Sequence, residues 1–198
     1  MKRTFILTLA ITALLTGCGQ KEEKKQEDQH GVIALQQLAD KAKAMQDRES
    51  IEPVDFRKMK ELLPESLSGL KRTEISGEKQ GAMGFTVSHA EARYTGDANA
   101  SVKLEILDTG GIAGVASMAL AAWTMAEIDK QTENGYEKTT KYDGHKAFEK
   151  YDSQHKNGEL SVLVAERYIV NIHGTKVTMD QMKEVLKEFD LNKLSDLK

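Results

Sequence analysis

One cysteine, two prolines and one tryptophan occur among the 198 residues, and aromatic side chains make up 6%. With Cys18 as the only thiol, no disulfide closes within the chain, so any fold is held by packing. The prolines, Pro53 and Pro64, bracket one short segment and leave the rest of the chain free of proline breaks. There is no basic excess: 28 lysine and arginine residues stand against 31 acidic ones, for a net charge of −3. That balance argues against nucleic-acid binding, which rests on concentrated positive charge. Downstream of residue 18 no apolar run reaches the roughly 20 residues of a membrane-spanning helix. The longest uncharged stretch, Gly110 to Ala126, is closely bracketed by Asp108 and Glu127.

Familiar catalytic signatures are missing as well. Gly77, Gly81 and Gly84 are too scattered to cradle a phosphate, and Gly110-Gly111 is not followed by Lys-Ser or Lys-Thr. No Gly-x-Ser-x-Gly elbow exists for a serine nucleophile. His30, His89, His145, His155 and His173 show no metal-ligand spacing, so neither a metal nor another cofactor is expected.

What is present begins at the N-terminus. Lys2 and Arg3 give a positive start, Phe5 to Leu15 form an apolar run broken only by Thr8 and Thr12, and Leu15-Thr16-Gly17-Cys18 closes it. That order reads as a secretory signal, too short for a permanent span. Its last four residues resemble the lipobox of bacterial lipoproteins. The resemblance implies cleavage before Cys18, lipid on its sulfur, and anchoring to the membrane by acyl chains that each contribute roughly 0.8 kcal/mol per buried methylene. Residues 1–17 are then a signal peptide whose loss removes two positive charges. Gly19 to His30 carries seven charges in twelve residues and nothing apolar. It reads as a flexible tether, residues 18–30 with the cysteine, spanning about 20 Å as a coil. Gly19 lacks the aspartate of inner-membrane retention signals, which points to the outer membrane. Lys21, Glu22 and Glu23 also look like a short acidic signal for surface display, so the periplasmic and surface faces both stay open.

Residues 31–198 read as one α+β domain. Leu35, Leu38, Ala39, Ala42 and Met45 recur at helical spacing opposite Gln36, Gln37, Asp40, Lys41, Lys43 and Asp47. A short helix follows Pro53, with Asp55 as N-cap and Phe56, Met59, Leu62 and Leu63 apolar before Pro64 ends it. Leu70 to Ser76 is a weak strand, Gly77 to Gly84 a loop, and Phe85 to Tyr94 a strand whose alternation slips at His89, suggesting a bulge there. After a turn at Thr95 to Asn99, Val102, Leu104 and Ile106 face inward and Lys103 and Glu105 outward. Gly110 to Ala126 then reads as a helix packed on the sheet, with Trp123 filling a gap. The alternative its small residues at every fourth position offer is contact with lipid or a second copy.

The last third predicts a four-strand meander. Asp143-Gly144 and Asn157-Gly158 have the composition of tight hairpin turns, and Ala165 to Arg167 makes another. Thr178 with Gln181 three residues on forms a capping box for a closing helix that buries Met179, Met182, Val185, Leu186 and Phe189. The sum is an antiparallel sheet of about seven strands with helices packed on it. The order loosely resembles the PsbP/Mog1-type sandwich over residues 65–190, without a motif that carries functional residues across.

Two sets of residues are candidates for function besides Cys18. Tyr136, Tyr142, Phe148, Tyr151 and Tyr168 lie on the meander and can line a recognition surface, or pair across strands for roughly 0.2 to 1 kcal/mol each. Asp108-Thr109-Gly110 after an apolar strand resembles the catalytic loop of retroviral-type aspartic proteases, in which two aspartates share a proton. Ile172-His173-Gly174 is a poor match to the second loop that family requires, and Asp108 serves equally well as a cap. The expectation is a lipid-anchored, non-enzymatic binding or interaction module of the cell envelope, with the membrane and an envelope protein as partners. The alternatives are a carrier of lipid or another small apolar ligand, with a cavity beneath the 110–126 helix, and a small hydrolase using Asp108.

Overall fold

A computed structural model of the chain describes residues 36–37, 39–40, 43, 51–82, 85–110 and 122–197. The chain divides into two units, Met1–Gln37 and Leu38–Lys198. In the first, the described residues are Gln36 and Gln37, helical and exposed. In the second, Ala39, Asp40 and Lys43 are also helical and exposed. The polar residues lie where the periodicity put them, while Ala39, assigned to the apolar stripe, faces solvent. Residues 1–35 and 111–121, which include Cys18, the tether and most of the uncharged stretch, lie outside the described residues.

The second unit is built on a nine-stranded sheet of neighbouring strands that pair antiparallel, in the order β1-β2-β3-β4-β9-β8-β7-β6-β5. The strands are β1 (Ser66–Leu67), β2 (Leu70–Ala82), β3 (Phe85–Thr95), β4 (Ser101–Asp108), β5 (Asp129–Thr132), β6 (Gly135–Tyr142), β7 (His145–Asp152), β8 (Asn157–Val164) and β9 (Tyr168–Thr175). Two meanders therefore meet at β4 and β9, whose register pairs Ser101 with Thr175 and Asp108 with Tyr168. Nine strands replace the expected seven because β1 and β5 were missed. Both are short edge strands, and β5, Asp-Lys-Gln-Thr, is exposed throughout and so has no alternating apolar signal.

Three local expectations are corrected. Gly77 to Ala82 is not loop: β2 runs through it, and Gly77 is glycine because Phe56 and Lys60 pack so close that a Cβ there would lie 2.7 Å from Phe56 Cδ2. The slip at His89 is no bulge either. β3 pairs with β4 without a break, and the register shift falls in β2 between Arg72 and Glu74. Asn157-Gly158 opens β8 rather than making a turn. The chain reverses before it, with Lys156 at φ 53°, and a Cβ on Gly158 would lie 2.9 Å from Met182 Sδ.

Other expectations are met. Asp143-Gly144 turns with both residues at positive φ, 49° and 82°. Ala165 and Glu166, both at 51°, make the next turn without glycine, at a cost of about 1 kcal/mol per residue. Asp55 caps α1 (Phe56–Glu61), and the Thr178–Gln181 capping box starts α2 (Met179–Glu188), followed by α3 (Leu191–Ser195). α1, α2 and α3 pack on the same face of the sheet. Met59, Met182, Val185 and Leu194 are buried there against Ala92, Val102, Leu104, Leu160, Val170 and Ile172. Met182 sits over Gly158 and Gly174, whose missing side chains let α2 approach the sheet. Among the described residues, no helix is long and apolar enough to cross a membrane.

Candidate binding face

The sheet's alternation separates its charged residues into two populations. On the helix-covered face two carboxylates are buried, Asp108 at 0% and Glu149 at 1% exposure. Asp108 Oδ1 accepts from the Gly110 amide at 2.8 Å and Arg167 Nε at 2.8 Å. Its Oδ2 accepts from the Val54 amide at 2.7 Å and Arg167 Nη2 at 2.7 Å. Each oxygen thus has two donors, one from a guanidinium in fork geometry, which is how a buried carboxylate offsets its lost hydration. The pairing pulls three separate pieces together: the segment before α1, the end of β4, and the turn before β9. It also raises the pKa of Arg167 further, through the hydrogen bond to Asp108. Asp108 caps the turn, as the simpler reading of Asp108-Thr109-Gly110 has it, and Thr109 Oγ1 donates to the Arg167 carbonyl at 2.9 Å.

Glu149 is treated similarly. Tyr136 Oη donates to it at 2.8 Å and Tyr142 Oη donates to its other oxygen, while Lys138 and Lys183 place their ammonium groups 3.6 and 3.7 Å away. Burial pushes its pKa up, but the two phenols and two ammonium groups outweigh that and hold it below the ordinary value. Burial first, and then Glu149, raise both phenol pKa values. Because Lys183 belongs to α2, this cluster fastens the helix to β6 and β7.

The opposite face is organised differently. Successive register pairs align Glu74, Arg93, Lys103, His173, Glu159, Lys150, Glu137 and Lys130 in one transverse row across β2, β3, β4, β9, β8, β7, β6 and β5. The signs nearly balance, and neighbours pair laterally: Arg93 with Glu74 at 3.2 Å, and Lys150 with Glu137 at 3.1 Å. Beside the row, His173 Nε2 lies 3.3 Å from Glu105 Oε2, and Lys103 Nζ also pairs with Glu105. These bonds, His173 foremost, take Glu105 down to about 2 and raise His173.

At the β5 to β8 end the row borders a cleft of about 400 Å³. Lys130, Glu137, Lys150 and Glu159 line it with Thr132, Asp152 and Asn157. Gly135, paired with Asp152, lies in its wall, and a Cβ there would collide with the Tyr151 carbonyl oxygen at 2.1 Å. Further along this face the chain around residues 126–128 meets the sheet, where Lys146 Nζ donates to the Ala126 carbonyl and Thr139 Oγ1 accepts from the Ile128 amide at 3.0 Å.

The five aromatic residues do not share one surface. Tyr136, Tyr142, Tyr151 and Tyr168 belong to the helix-covered face and Phe148 to the other, one position out of phase with Ala147 and Glu149. Tyr168 is buried and donates to the Leu197 carbonyl at 2.9 Å. Tyr136 and Tyr151 pair across strands with centroids 6.3 Å apart, and both border the cleft. The cavity expected beneath the 110–126 helix falls largely on residues 111–121, outside the described residues; of that stretch, residues 122–125 are helical and Gly110 has φ 56°.

Sequence reasoning missed the charged row. Its only trace is the outward assignment of Lys103, with Glu105 beside it, since the other members are far apart in the chain and meet only through strand order. Comparison of the chain with known protein families, characterised proteins and solved structures returns no match.

Proposed function

We propose that this chain is an exported, lipid-anchored, non-enzymatic binding module of the cell envelope. Cys18 fastens it to the membrane, and the charged row with its cleft engages the polar surface of an envelope protein. The observation that carries this reading is the transverse row itself. Ion pairs between exposed side chains contribute only about 0.2–1 kcal/mol each, so the fold depends little on these eight aligned positions and they are free to serve recognition. Their near balance of signs fits a mixed polar surface rather than a polyanion. The saturation of both Asp108 oxygens by four donors supports a structural role for that residue over a hydrolytic one. On this reading the signal-like N-terminus and the resemblance of Leu15-Thr16-Gly17-Cys18 to a lipobox support export of the row, with the tether holding it off the outer membrane.

Two measurements test the proposal. Labelled palmitate is expected to enter the wild type and not Cys18→Ser; equal labelling removes the anchor. A photo-crosslinking side chain at Asn157, beside the cleft, is expected to capture one discrete envelope protein in cells. The same side chain at Asp180, exposed on α2, is expected to capture none, and equal capture at both positions removes the face.

A further inference from the structure

We propose that His89, Glu91 and Glu105 form a binding site for a divalent transition-metal ion of the zinc class. His89 and Glu91 stand one residue apart on β3 and therefore project from the same face. Glu105 on β4 is the direct cross-strand partner of Glu91. One donor atom from each of the three lies within 4.8 Å of the others, on half-buried side chains. Tetrahedral bonds of about 2.0–2.2 Å to imidazole nitrogen and carboxylate oxygen put ligand atoms about 3.3–3.6 Å apart, so these atoms must close by up to about 1.5 Å, a change within reach of side-chain rotation. Imidazole with carboxylates is a donor set that zinc-class ions accept and that calcium or magnesium sites, built from oxygen, do not use.

Two further observations shape the site. His173 on β9 lies against Glu105, so a second imidazole stands at its edge as a fourth ligand or as a group that orients the carboxylate. Ser76 Oγ on β2 donates to Glu91 Oε1 at 3.2 Å, holding that carboxylate from its other side. The pocket between the carboxylates also already receives a cation: Lys103 Nζ bonds Glu105 and lies 3.8 Å from Glu91 Oε2. Its side chain is 30% exposed, so the flexible stem can withdraw to solvent when a metal enters. Lys103 is thus the built-in competitor of the metal, and the site's affinity depends on it. This inference is independent of the lipid anchor.

Titration calorimetry of the full-length chain with Zn²⁺ tests it, with Co²⁺ absorption as a report on coordination. One equivalent is expected to bind. His89→Ala and Glu105→Gln should each weaken binding at least about tenfold, equivalent to 1.4 kcal/mol. Lys103→Met should tighten it several-fold, and His155→Ala, which alters a histidine paired with Asp152 outside the cluster, should change nothing. Circular dichroism confirms that each variant is folded, and His89→Gln replaces His89→Ala if that variant is not. Absence of binding by both the wild type and Lys103→Met overturns the proposal. So does a titration that survives His89→Ala and Glu105→Gln.

Discussion

On the helix-covered face of the sheet, Asp108 receives two donors on each oxygen and is shut away from water. On the opposite face, Lys150 and Glu137 meet through one exposed contact of 3.1 Å. The same chemical pair, a carboxylate and a cation, therefore does different work on the two sides. Where water is excluded, losing one partner strands an unpaired charge; where water is present, it takes the partner's place. Buried charge in this protein fixes the architecture, and exposed charge is left available for recognition. The two faces can be told apart by how much each change costs.

The largest effect is expected at the buried pair. Asp108→Ala leaves Arg167 and two backbone amides without their acceptor and should destabilise the fold by about 4 kcal/mol in denaturant unfolding. A loss under about 1 kcal/mol would place Asp108 among the exposed charges. Next, Gly174→Ala puts a Cβ 2.5 Å from Val177 Cγ2 and 2.7 Å from Met182 Sδ, and overpacking of this kind should cost about 2 kcal/mol by the same measurement.

The Glu149 cluster gives a pH signature. Its folded pKa lies below the unfolded value of about 4.3, so the stability it supplies is present above that value and is lost as pH falls through the folded pKa. Tyr142→Phe removes one hydrogen bond to the carboxylate. It should cost about 1.5 kcal/mol at pH 7 and progressively less below pH 4, read from thermal melts across that range. A pH-independent loss would mean that the phenol acts by packing alone. The smallest effect belongs to the charged row: Glu137→Gln or Lys150→Gln should shift stability by less than about 0.5 kcal/mol.

These contrasts also explain what the sequence reveals and what it hides. Caps and inward alternation are local: Asp55, the Thr178–Gln181 box, and Val102, Leu104 and Ile106 are legible because each is specified within a few residues. Gly77 and Gly158 mislead because their reason lies elsewhere, in Phe56 and Met182, which occupy the space a side chain would need. β5 has no apolar residue to announce it and forms by pairing with β6. His89 signals a bulge only if Val87 must face the core, and the continuous pairing of β3 with β4 shows that it need not. The candidate site is least legible of all. Glu74 and Lys130 share a row only because β1–β4 and β5–β9 join at β4 and β9. Of the residues singled out in advance, Asp108 proves to be a buried latch, and Tyr136 and Tyr151 border the cleft from the covered side.

The most direct test combines a charge reversal on the exposed face with the crosslink from Asn157. The double substitution Lys130→Glu and Lys150→Glu should leave the melting temperature within a few degrees of wild type while abolishing the crosslinked product. Undiminished crosslinking in that variant, or a collapse of its stability on the scale of Asp108→Ala, would contradict the division of labour between the two faces.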